Sequence, residues 1–184
     1  MTATGKAALP ATVTWGLLAA WAVHDSEELA TMGGWVDRAR PRLRAHLPWV
    51  PERVWDRLRV SPAQAGIAIG LMGAVMATAA ARGASTGGRS RFYQAALVGF
   101  GAHAGGHLAQ AVLTRGYTPG VVTAPLVVAP FSWWAWRRLG AAGVRRDDRA
   151  TAVGAALLLP AAALCHAVAR RLAPAPTSSS GDSG

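Results

Sequence analysis

The sequence predicts an all-α integral membrane protein, a bundle of about five transmembrane helices with an amphipathic interfacial segment. Three observations carry that prediction. Hydrophobic residues make up 52% of the 184-residue chain. They gather in long runs. The net charge of +10, almost wholly arginine, lies between those runs rather than in one basic domain. A nucleic-acid partner is therefore not expected. The single cysteine, Cys165, excludes an internal disulfide and a cysteine-rich zinc module.

Crossing a hydrocarbon core of ~30 Å takes about 20 mostly apolar residues. Runs of that size fall at 8–30, 61–81, 92–114, 119–138 and 150–171. The first begins after Lys6 and ends in A-V-H-D-S-E-E-L-A. Lys6, the apolar run and A20-W-A22 also suit a secretory signal, but the lone positive charge and the acids that follow argue against cleavage. Residues 32–60 hold seven arginines, Trp35, Trp49 and Trp55, and Pro41, Pro48 and Pro51. That composition predicts a segment lying on the membrane, with guanidinium groups among lipid phosphates and His46 at the surface.

The run 61–81 has no charge between Ser61 and Arg82 and carries Pro62 in its first turn, where no helical N–H is lost. Its Gly66 and Gly70, like Gly101 and Gly105 in the next run, have the GxxxG spacing that lets helices approach closely in lipid. The fourth run holds Pro125 and Pro130 and ends in F-S-W-W-A-W-R-R. Trp133, Trp134 and Trp136 beside Arg137 and Arg138 read as an interfacial belt. Residues 1–172 are expected to form one transmembrane domain, and 173–184 a disordered tail. Basic residues are nearly balanced, ten on the side of 32–60 against nine opposite. The arginines that follow the first run favour a cytoplasmic 32–60 segment.

Ionisable side chains inside a membrane helix are costly and face a polar interior with a partner. His24 stands four residues before Glu28 and three before Glu27, so all three can share a helix face. His103 and His107 repeat the four-residue spacing, and His166 lies in the fifth run. If the helices alternate in direction, His24, His107 and His166 fall at nearly one depth, with Glu27 and Glu28 one turn beyond and His103 one turn before. Imidazole and carboxylate suit zinc, iron or manganese, and a bridging Glu27 or Glu28 would allow two ions. The ligands expected from the residues are thus His24, Glu27, Glu28, His103, His107 and His166, with Asp25 or Gln110 orienting them.

H24-D-S-E27-E28 resembles the motif of the HXXEE domain family of bacterial membrane proteins, which also has a downstream histidine and a Y-x-P-G motif. His103 or His107 and Y117-T-P-G120 supply those features here, and the resemblance covers about residues 11 to 135. It implies a multi-pass protein of the bacterial cytoplasmic (inner) membrane, and it leaves His166 outside the motifs. Tyr117 would either line the substrate mouth or anchor the interface.

Together these features predict a membrane-embedded metal-dependent enzyme, first of all a di-iron oxidase or oxygenase on a small or lipid-like substrate. Glu27 and Tyr117 are its expected catalytic residues, membrane lipids its surroundings, and a redox partner is compatible with the reaction. The surplus of ligands favours two irons over zinc, which needs three ligands and an open position. A zinc hydrolase with Glu27 as general base, or a proton or ion relay without enzyme activity, are the alternatives.

Overall fold

The computed structural model describes residues 9–173, which are all-α with no strand among them. Helix α1 spans Ala11–Thr31, α2 Trp35–His46, α3 Glu52–Leu58, α4 Pro62–Ser85 and α5 Arg91–Leu113. A π turn, Ala124–Val128, leads into α6, Ala129–Ala141, and α7, Arg149–Ala156, is followed by α8, Leu158–Leu172. The expected disordered tail lies, from residue 174 onward, outside the described residues.

Local chemistry sets the helix starts. Ser61 Oγ accepts from Gln64 N at 3.2 Å while Gln64 Oε1 accepts from Ser61 N at 3.1 Å, a reciprocal cap ahead of Pro62. Ser90 caps α5 and Asp148 caps α7 through the backbone N–H groups of Tyr93 and Thr151. Proline accounts for the two irregularities. Pro130 offers no N–H to the carbonyl of Leu126, and the chain from Ala124 to Val128 takes π spacing. Pro160 likewise leaves the carbonyl of Ala156 without its helical donor, and the run 149–172 breaks at Leu157.

Helix α1 packs on α4, α4 on α8, and α5 on both α6 and α7. The core between them holds Val13, Leu17, Met76, Tyr93, Leu97 and Phe100. Of the two GxxxG pairs only Gly101 is closely approached, where an added Cβ would lie 3.0 Å from Ser132 Cβ, and at Gly66 the nearest atom is Leu29 Cδ1 at 4.0 Å. A methyl group on Gly70 or Gly105 would meet nothing within 4 Å, whereas one on Gly73 would strike Trp21 at 2.8 Å and one on Gly83 the Tyr93 ring at 2.6 Å. Large aromatic rings, rather than a facing backbone, fill the space these glycines leave.

Helices α2 and α3 form a small unit with its own core of Val36, Ala39, Leu43 and Trp55. Arg40–Asp56 at 2.5 Å, Arg44–Glu52 at 2.6 Å and Arg59–Asp37 at 2.8 Å tie it together. Arg38 and Arg42 donate to backbone carbonyls. Most guanidinium groups expected among lipid phosphates are thus occupied within the protein. Trp49, 73% exposed, stands outward from this unit.

Two helical runs among the described residues are long and apolar enough to cross a membrane, Pro62–Ser85 and Arg149–Leu172. The three acids of α1 and the proline-broken start of α6 keep those helices outside that criterion of length and composition.

Candidate metal centre

Helix α1 turns Val13, Leu17, Ala20 and His24 toward the core, and this face continues to Glu28 one turn later. Helix α5 presents His103 and His107, also one turn apart. The two pairs meet. His24 Nε2 lies 3.2 Å from His107 Nε2, and His107 Nε2 lies 2.7 Å from His103 Nε2. Glu28 Oε1 is 3.4 Å from His107 Nε2 and 4.0 Å from His24 Nε2. One ligand atom from each of the four residues falls within 4.8 Å of all the others, so this group can hold a metal ion. His24 is fully buried and His107 nearly so, with Phe100 edge-on to His24 at 6.0 Å.

The far side of each ring decides which nitrogen carries hydrogen. The Pro119 carbonyl can only accept, so His107 Nδ1 donates to it at 2.8 Å. Thr123 Oγ1 gives its hydrogen to Glu27 Oε2 at 2.7 Å and therefore accepts from His24 Nδ1, also at 2.7 Å. In the neutral rings both Nε2 atoms then bear lone pairs, and these face one another beside a carboxylate oxygen. Histidine ligands to metals show this arrangement, with the outer N–H fixed by a carbonyl, hydroxyl or carboxylate. A cation between them relieves the confrontation of lone pairs, and by that test the donor set fits a divalent metal.

Glu27 stands behind the centre rather than in it. Its carboxylate accepts from Tyr117 Oη at 2.8 Å, Val122 N at 3.2 Å, Thr123 N at 2.8 Å and Thr123 Oγ1 at 2.7 Å. With its lone pairs so engaged, it fixes the loop that fixes His24. Tyr117 is 39% exposed, and its hydroxyl reaches Glu27, not the four donors. Partial desolvation and the neighbouring carboxylates outweigh a lowering contact with Thr31, raise its pKa above the ordinary tyrosine value and keep the phenol a donor.

His166 is not in the group. Helix α8 packs mainly against α4, so a shared depth with His24 does not bring it to the same side of the bundle. Asp25 is buried one turn after Trp21, whose ring meets Gly73 of α4, and Gln110 is exposed. The groups that orient the imidazoles are instead Thr123 and the Pro119 carbonyl, which the sequence reading did not single out. Gly120 completes the enclosure. At φ +81° its missing side chain leaves room for both rings, and a Cβ there would lie 2.5 Å from His107 Cε1 and 2.8 Å from His24 Cε1. The Y-T-P-G stretch thereby supplies a phenol to Glu27, a carbonyl to His107 and a space for two imidazoles.

A family model described as "Protein of unknown function with HXXEE motif" matches residues 15–135. This is more than half of the chain and includes all four donors and the loop behind them, and the chain belongs to that family. No curated protein and no solved structure matches it.

Proposed function

We propose, for this member of the HXXEE family, a membrane-embedded oxidoreductase that uses one divalent ion of the iron or manganese type on a small or lipid-like substrate. The observation that carries the reading is the pair of Nε2 lone pairs on His24 and His107, 3.2 Å apart and oriented from behind. Two irons would call on all six ligands expected from the residues. Four come together, with Glu27 engaged in hydrogen bonds and His166 elsewhere, which favours a single ion. Four protein donors fill a tetrahedral zinc ion but leave two positions on a six-coordinate metal. That difference favours redox chemistry over zinc-assisted hydrolysis.

His24, His103 and His107 bind through Nε2, and Glu28 offsets the charge of the cation. Thr123 and Pro119 hold the ring tautomers, and burial of His24 and Phe100 limits water. When bound, the ion supplies Lewis acidity and one-electron redox capacity. The whole sits in a five-span bundle of the bacterial cytoplasmic membrane, with α2 and α3 on its surface. A second reading, a proton relay, is favoured by the unbroken chain from the exposed Tyr117 through Glu27 and Thr123 to His24.

Elemental analysis of the detergent-purified chain, prepared anaerobically with iron, tests both. About one iron or manganese per chain, lost in His107→Ala and Glu28→Ala, is the expected result. Zinc at the same stoichiometry would turn the reading to hydrolysis, and no bound metal would leave the relay.

A further inference from the structure

The loop behind the metal centre is itself held from outside, by helix α2. Trp35 Nε1 donates to the Tyr117 carbonyl at 2.9 Å, and Arg42 Nη2 donates to the same oxygen at 3.1 Å. Arg42 Nε donates to the Thr114 carbonyl, also at 3.1 Å. The guanidinium lies flat on the loop where Gly116 has no side chain, and a Cβ there would be 2.7 Å from Arg42 Cζ. Between these anchor points Arg115 sits at φ +50°, the one non-glycine residue with positive φ among those described. Such a backbone holds only when its surroundings fix it. Tyr117 is therefore gripped twice, at its carbonyl by α2 and at its hydroxyl by Glu27, and Pro119, two residues on, meets His107.

We propose that Arg42 and Trp35 are positioning residues of the metal centre, acting through the Thr114–Gly120 loop to set the Nδ1 partner of His107 and the Glu27–Thr123 support of His24. The inference rests on the metal reading above. Arg42 spans two carbonyls with a planar fork that lysine cannot reproduce. Arg44, on the same helix, pairs with Glu52 and makes no hydrogen bond to the loop, so it separates a role at the centre from a role in the α2–α3 unit.

The test is cobalt(II) titration of the full-length chain in detergent, read by its visible absorption. It compares the wild type with Arg42→Ala, Arg42→Lys, Trp35→Phe and Arg44→Ala. Arg42→Ala and Trp35→Phe should each bind cobalt about tenfold more weakly, as loss of an orienting partner does elsewhere, and with a shifted band. Added guanidinium should restore Arg42→Ala, Arg42→Lys should remain impaired, and Arg44→Ala should match the wild type. Unchanged affinity and spectrum in the Arg42 and Trp35 variants, or an equal loss in Arg44→Ala, would overturn the inference while leaving the metal reading intact. A wild-type chain that takes up no cobalt would overturn both.

Discussion

Helix α5 buries polar side chains near both of its ends, and the two ends treat them differently. At the start, Tyr93 donates to the Val13 carbonyl, and Gln94 donates to the Gly88 and Val144 carbonyls at 2.8 Å while accepting from Arg146 N at 2.7 Å. Their hydrogen-bonding capacity is taken up by backbone groups, Tyr93 tying α5 to α1 and Gln94 closing the flanking loops. Toward the other end, His107 has one ring nitrogen fixed by Pro119 and the other turned on its neighbours' nitrogens. Burial is common to both sites. What separates structure from candidate chemistry is whether donors and acceptors balance.

That contrast is open to attack at three positions. The largest effect is expected for Gly120→Ala. A left-handed backbone costs an ordinary residue about 1–2 kcal/mol, and crowding of both imidazoles adds about 1–3 kcal/mol. Thermal unfolding should fall sharply and metal uptake should be lost together, and a variant that keeps both would show that the loop can move away. Tyr93→Phe removes one hydrogen bond from a carbonyl that retains its helical partner, and should cost about 1 kcal/mol. Its metal content should equal that of the wild type, and a loss would join the two ends of α5 in one function. Gly70→Ala, where the added methyl meets nothing, should change melting least, raising stability by no more than about 1 kcal/mol. A clear loss there would reveal a packing partner outside this chain.

The all-α class and the positions of the long helices were legible because apolar runs and capping residues are local signals. The breaks at Ala124–Val128 and Leu157 were less so. Pro125, Pro130 and Pro160 were visible, but a proline marks a missing donor without saying how the helix will accommodate it. In the site, i,i+4 spacing and depth brought out His24, Glu28, His103 and His107. Depth says nothing of direction around the bundle, and His166 shows the consequence. Glu27 and Glu28 are successive residues, and only packing decides that one meets α5 while the other meets Val122 and Thr123. The Pro119 carbonyl has no sequence signature, since every residue carries one. Arg42 and Trp35 were legible as interfacial by type, but their grip on Tyr117 is a tertiary fact.

His24 and His107 are 83 positions apart in the chain. During synthesis α1 must wait, with an imidazole and acids unpaired, while α2, α3 and α4 are made, and only α5 supplies the other half of the donors. The centre thus cannot exist before the chain has been made as far as Thr123, with α6, α7 and α8 still to follow. A chain stopped before α5 has one imidazole of the three, and a chain whose loop has not closed has rings that are not oriented. An ion that bound the completed form alone would shift the equilibrium toward it, so added metal would favour chains in which α1, α5 and the loop have come together.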